Sequence, residues 1–232
     1  MKLSVIILCY NFEKYIRQCI DSVLSQVTDF EFEIIVGDDL SSDQSVNILN
    51  EYKGRIGYYV NSKNMGLARN TKKLVDMACG EYITYIDGDD FYTDINKLQR
   101  QVDFLDKNPE YVMHSTGYTY ADEYGNTEHH LIPLIEEPTS EDLLSTNCVS
   151  FARMFRNLPD IAAEWMNYLE FHDWVMNFEI SLRGKIKCET WIGGAYRITG
   201  NGLITGISHE TIYEQNQKCR DIFTKRYSEI KC

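Results

Sequence analysis

The chain has 232 residues, 44% of them hydrophobic, enough for one substantial core. Its 35 acidic and 23 basic residues leave a formal net charge of -12, which argues against a nucleic-acid surface, because phosphates need Lys and Arg to replace their counterions. Four prolines and 14 glycines exclude a fibrous or disordered chain, and no stretch reaches the roughly 20 apolar residues of a membrane helix.

Seven cysteines, Cys9, Cys19, Cys79, Cys148, Cys188, Cys219 and Cys232, are scattered and odd in number, with no C-x-x-C pair and no N-x-[ST] acceptor. The expectation is a reduced cytoplasmic protein with structural thiols. The opening "MKLSVIILCYN" has too short an apolar run and no small-residue cleavage site for a signal peptide.

In chain order, "LSVIILC" (3–9) reads as a strand covered on both faces. Ile16, Ile20, Val23, Leu24 and Val27 then recur at helical spacing. "FEIIVG" (32–37) is a second buried strand, and "SDQSVNILNEY" (42–52) opens on a Ser/Asp helix-start signal. "IGYYVN" (56–61) is a strand, Leu67 to Ala78 a helix, and "YITYI" (82–86) a fourth strand. This alternation predicts βαβ units and a parallel sheet. Beyond about residue 110, "YVMHSTGYTYAD", the turn-like "EYGN" and "NCVSFARMFR" predict longer or antiparallel strands. Short helices are expected around Leu143–Leu144 and Trp174–Leu182, and a final amphipathic helix over 209–230. The expected organisation is one α/β domain, with a nucleotide-type half (1–110) and an elaboration (111–232).

Ligands of open α/β sheets bind outside the carboxyl ends of the parallel strands. Two acidic clusters fall there: Asp38 and Asp39 in "IIVGDDLSSD", and Asp87, Asp89 and Asp90 in "YITYIDGDD". Like charges gathered on one rim call for a cation. Carboxylate oxygens without nearby Cys or His point to Mg²⁺ or Mn²⁺, which with open positions is suited to bridging phosphate oxygens. An EF-hand does not fit "DGDDFYTDINKL", and no Gly-rich dinucleotide or P-loop signature occurs.

The ordered set "VIILCYN", "IIVGDDLSSD", "NMGLARN", "YITYIDGDD" and "FHDW" resembles the family 2 glycosyltransferases. The resemblance implies their GT-A fold, a Rossmann-like, mainly parallel mixed sheet flanked by helices with a C-terminal acceptor-side elaboration. It implies that Cys9, Tyr10 and Asn11 contact the nucleobase, and that Asp39 or its neighbour Asp38 bonds the base or ribose. Asn64 and Arg69 would lie near the nucleotide, Asp87 with Gly88 at the ribose, and Asp89 on the metal. Asp90 would orient the metal's waters or the donor sugar. Leu40 departs from the pattern, standing where many relatives have Gly.

Downstream, Asp173 in "FHDW" corresponds to the family's acceptor-activating Asp; without the other motifs it would read as a charge favoured by a helix N-terminus. His172 either assists or packs, and Trp174 either stacks on an acceptor sugar or packs. Arg197, in "GGAYRITGNG", reaches the diphosphate or forms an ion pair, and His209 substitutes for a metal or phosphate contact that relatives supply nearer that strand. The Q-x-x-R-W motif and membrane helices of processive synthases are absent from the sequence, which favours a single addition.

The reaction so implied is inverting transfer of one sugar from a nucleotide-sugar donor, UDP-linked first, to a glycan or lipid-linked oligosaccharide, as in bacterial surface polysaccharide synthesis. The enzyme would use Mn²⁺ or Mg²⁺ and work in the cytoplasm, with peripheral contact at the inner face of the membrane as an option. The alternative is a non-catalytic nucleotide-sugar-binding or scaffold protein on the same fold.

Overall fold

The computed structural model describes residues 1–160, 169, 172–199 and 209–231, with the backbone alone at 209, 212 and 227–231. β1 (Leu3–Cys9) is buried along its whole length. Leu3, Val5, Ile7 and Cys9 face one core, and Ile6 and Leu8 the other. Cover on both faces is why this run is continuously apolar rather than alternating. α1 (Ile16–Leu24) seats Ile16, Cys19, Ile20 and Val23 in the first core.

β2 (Phe32–Asp38), α2 (Ser45–Glu51), β3 (Gly57–Val60), α3 (Leu67–Met77) and β4 (Tyr82–Asp87) continue the alternation. β1 pairs in parallel with β2 on one side and β4 on the other, and β3 adds to β2. The resulting order β3-β2-β1-β4 changes direction between β1 and β4. Ligand crevices open at such switch points. The register sets Cys9 opposite Asp38 and Leu8 opposite Asp87, so both acidic strand ends share one rim, on either side of β1.

The rest of the chain extends the same sheet. It comprises β5 (Phe91–Tyr92), α4 (Lys97–Lys107), β6 (Tyr111–Ala121), β7 (Thr127–Leu131), α5 (Ser140–Ser145), β8 (Met154–Arg156), α6 (Asp173–Ser181), β9 (Lys185–Arg197) and α7 (His209–Lys231). The order runs β4-β8-β6-β9-β5, with β7 paired to β6 beside this path. β8 is antiparallel to β4 and β6, whereas β9 runs parallel to β6. The sheet is therefore mixed, with its parallel part carrying the acidic rim.

At the level of elements one expectation is corrected and one helix is added. "NCVSFARMFR" contributes only the three residues of β8. The preceding residues instead close a loop onto the sheet, through Ser150 Oγ to the Thr116 carbonyl (2.5 Å) and Thr84 Oγ1 to the Arg153 carbonyl (2.7 Å). β6 is the expected long strand, antiparallel to β7 across the "EYGN" turn and to β8, and it also pairs in parallel with β9, which the long connection through α5, β8 and α6 permits. α4 was not expected, yet it buries Leu98, Val102 and Leu105 at helical spacing. α7 is the expected amphipathic helix: Cys219 and Phe223 are buried, and Phe223 meets Trp174 (5.2 Å) and Phe178 (4.5 Å). Among the described residues no helix is long and apolar enough to cross a membrane.

Candidate active site

The rim begins where β1 ends. Asn11 has a left-handed backbone (φ 56°), which Asn tolerates because its short side chain bonds locally. Its N–H donates to Ser41 Oγ (2.9 Å), and its Oδ1 accepts from the Ser42 N–H (2.8 Å). Tyr10 beside it is exposed, and Cys9 is buried, its thiol pushed up to about 12 by burial and by Asp38. Asp38 is buried under its own turn, accepting from Ser41 N–H (2.9 Å) and Ser41 Oγ (2.5 Å).

Asp39 clamps the neighbouring loop. Its carboxylate accepts from Asn61 Nδ2 (2.9 Å), Met65 N–H (2.8 Å) and Gly66 N–H (2.8 Å). Gly66 caps α3 at φ 83°, a conformation costly to any residue with a Cβ. Asn64 and Arg69 flank this clamp and are exposed, with Asn64 Oδ1 accepting from the Gly66 N–H (3.1 Å). Leu40 adopts φ 65° with its side chain half exposed, so the turn keeps the glycine-type backbone without the glycine.

At the end of β4 the chain doubles back. Gly88 N–H donates to the Leu8 carbonyl (2.8 Å), and a Cβ at Gly88 would stand 2.9 Å from that oxygen. Glycine is required by this close approach of backbones. Asp87 and Asp89 are partly buried and Asp90 fully so. Burial, then the charges of Asp89 and Asp173, pushes the Asp87 carboxyl up to about 7. Burial raises Asp89 to about 6, with its own backbone N–H and Arg197 opposing, and it raises Asp90 well above the carboxylate range, helped by Asp89 and Asp87.

Arg197, at the end of β9, is 3% exposed. Its backbone N–H donates to Asp90 Oδ1 (2.8 Å) and its Nε to the Asp89 carbonyl (2.7 Å). Nη1 reaches the carbonyls of Asp122 (3.0 Å) and Glu123 (3.1 Å), and Nη2 reaches Gln18 Oε1 (2.6 Å). The guanidinium is thus occupied in holding the acidic turn against two other segments, the Asp122–Glu123 turn and α1, not in a surface ion pair.

Asp173 opens α6 and acts on Asp87 across the crevice. Its Oδ2 accepts from Asn147 Nδ2 (2.8 Å), and Asn147 Oδ1 in turn accepts from Asn177 Nδ2 (2.9 Å). Trp174 lies in the core, its indole N–H donating to the Leu143 carbonyl (2.7 Å). His172 is buried, and neither ring nitrogen has a partner among the described residues. The side chain of His209 lies outside the described residues. The structure therefore brings Asp87, Asp89, Asp90, Arg197 and Asp173 together, with Asn11, Asp38, Asp39, Asn64 and Arg69 along the rim beyond β1. Asn147 and Gln18, which position Asp173 and Arg197, carry no motif. They could be found only once α6 and β9 are folded over the rim.

A divalent cation fits the chemistry of this donor set. Asp90 Oδ2 is buried without a partner among the described residues, and the burial that raises all three carboxyls, with the like charges that add to it at Asp87 and Asp90, is a penalty that a cation would relieve. Hard oxygens suit Mg²⁺ or Mn²⁺. Among the described residues no three His, Cys, Asp or Glu side chains converge as a metal cage, so an ion would depend on ligand oxygens as well.

The family described as glycosyl transferase family 2 matches residues 4–161. An uncharacterised protein of Mycobacterium tuberculosis is 29% identical over 214 residues, 87% of this chain and 60% of its own length. The poly(ribitol-phosphate) beta-glucosyltransferase of Bacillus spizizenii is 40% identical over 115 residues, 47% of this chain and 18% of that one. The chain thus spans less than two thirds of the length of these curated relatives. Among solved structures, Staphylococcus aureus TarS 1–349 in complex with UDP aligns at TM-score 0.68 and 21% identity, over 94% of this chain and 64% of that one. The fold is that of the GT-A glycosyltransferases, and the chain belongs to glycosyl transferase family 2.

Proposed function

We propose that this family 2 chain is an inverting, metal-dependent glycosyltransferase, adding one sugar from a UDP-linked donor to a hydroxyl of a glycan or lipid-linked oligosaccharide in bacterial surface polysaccharide synthesis. The observation that carries the reading is the meeting of two carboxylate centres on one crevice: the Asp87–Asp90 turn at the end of β4, and Asp173 at the head of α6. UDP is favoured because TarS, whose fold the chain shares, is known with UDP bound.

The roles follow from position. Exposed Tyr10, Asn64 and Arg69 line the rim where a nucleotide would lie over β1 and β2. Asp39 shapes that rim by clamping the residues before α3. Asp89 would hold Mn²⁺ or Mg²⁺, which when bound would neutralise charge growing on the leaving diphosphate, and Asp87 would meet the ribose. Arg197 fixes the turn bearing both carboxylates. Asp173, at the head of α6 and oriented by Asn147, takes the acceptor hydroxyl proton. The acceptor oxygen bonds to the anomeric carbon as the carbon–oxygen bond to the diphosphate breaks on the opposite side. The anomeric configuration inverts, and UDP leaves with the electron pair.

The test is turnover of UDP-sugars by the purified chain with Mn²⁺ and lipid-linked glycan acceptors, with the product anomer assigned by NMR. An inverted linkage is expected. A retained linkage, or binding of donor with no transfer to any such acceptor, would overturn the reading.

A further inference from the structure

One row deeper along β4 than Asp87 lies a group of polar side chains that the transfer reaction leaves unused. The β4–β8 register, with Ile83 opposite Phe155, brings Tyr85 beside Arg153 on the face that carries α6. The Arg153 guanidinium sits 4.4 Å from the Tyr85 ring centre, and the His172 ring 5.5 Å from the same ring. Arg153 is 1% exposed, and Nη1 donates to the Ser150 carbonyl (3.0 Å). Its Nε and Nη2, both ring nitrogens of His172 and the Tyr85 hydroxyl have no partner among the described residues.

Buried polar groups are rarely left so, and a buried cation short of hydrogen-bond partners is a costly kind. Asp173 is the carboxylate whose charge acts on Arg153 and His172, but its Oδ2 is engaged by Asn147. Burial lowers the Arg153 guanidinium to about 10, as expected of a cation short of compensation. The free edge formed by Nε and Nη2 is the planar fork that accepts two oxygens of one carboxylate side-on. A neutral hydroxyl would fill one position and leave the charge unanswered. Tyr85 and a neutral imidazole add a donor each for the remaining lone pairs.

On the glycosyl-transfer reading above, the transferred sugar lies between Asp87 and Asp173, which places this cluster at its floor. We propose that Arg153, Tyr85 and His172 form a subsite for a carboxylate on that sugar, so that the donor is a nucleoside diphosphate-linked uronic acid.

The experiment is calorimetric titration, with Mn²⁺, of UDP, UDP-glucose, UDP-galactose, UDP-glucuronic acid and UDP-galacturonic acid into the wild-type chain and Arg153→Met. One uronic acid donor is expected to bind about tenfold or more tighter than its neutral counterpart, the scale of a charge-assisted pair. Arg153→Met should abolish that preference while UDP alone binds as before, and Arg153→Lys should restore only part of it. Should Arg153→Met not fold, Tyr85→Phe and His172→Phe are each expected to weaken the preference. Equal binding of acidic and neutral donors, with UDP bound, would overturn the subsite and leave the transfer reading standing. Arg153-dependent binding of inorganic phosphate, with no uronate preference, would assign the cluster to an acceptor phosphate and overturn the donor assignment. Failure of UDP itself to bind the folded chain would remove both.

Discussion

At the scale of residues, the account rests on Asp173. A carboxylate at a helix start is unremarkable alone, but this one faces Asp87 across the crevice and is oriented by an amide. Asp173→Asn is expected to keep donor affinity and lose roughly 100-fold or more in turnover, the scale of a lost general base. Asn147→Ala tests the positioning role: kcat should fall by about tenfold with KM little changed, because an interaction that only aims the base is felt in the transition state. Leu40 gives a stability test. Relief of its left-handed backbone by Leu40→Gly should raise the unfolding free energy by up to about 1 kcal/mol in urea titrations, since the steric cost of φ 65° is partly offset by a freer unfolded chain. The acidic turn was legible in the sequence because three carboxylates follow an apolar run within four residues, and Leu40 was legible as a departure from the family pattern. Asn147 and Arg153 were not. Both lie in a stretch whose spacing reads as a strand, and their roles arise only when α6 closes over it.

At the scale of elements, β9 and α4 matter most. Arg197 ends β9 and spreads its donors over the Asp89 carbonyl, the Asp122–Glu123 carbonyls and Gln18. A lysine cannot reproduce that fork, so Arg197→Lys should cost about 1–3 kcal/mol of stability by urea titration. α4 carries Lys97, fully buried, donating to Gln101 Oε1 (2.6 Å) and 4.1 Å from the Tyr92 ring centre. Burial pushes its ammonium down to about 7. A folded value below the unfolded one penalises the charged form, so the penalty is complete below about pH 7 and fades as pH rises toward the ordinary lysine range. Lys97→Met should therefore stabilise the chain by about 1–4 kcal/mol near neutral pH and by less in alkaline buffer, read from melts across pH. The strands β1, β2 and β4 were legible because cover makes them nearly continuous apolar runs, and β3, a largely exposed edge strand, was legible from its β-prone Tyr58, Tyr59 and Val60. β5 was not, since two residues give no periodicity to read, and of the stretch read as a strand at 147–156 only the three residues of β8 pair with the sheet. The parallel pairing of β6 with β9 was hidden because it is set by the path of the connection, not by either strand's composition.

At the scale of the molecule, one sheet carries both halves, so the nucleotide rim and the base on α6 share a rigid frame. The acidic turn is held in place by Arg197, while burial penalises its charges, an arrangement that gains most from a bound cation with a diphosphate. The most direct measurement is the thermal shift of the wild-type chain and Asp89→Ala with UDP, with and without Mn²⁺. Ligand at about 100 times its dissociation constant adds roughly 2.7 kcal/mol, a shift of about 5–11 °C for a chain of this size. The account predicts such a shift for wild type with UDP and Mn²⁺ together, and its loss in Asp89→Ala. An equal shift without metal, or one that survives Asp89→Ala, would contradict it.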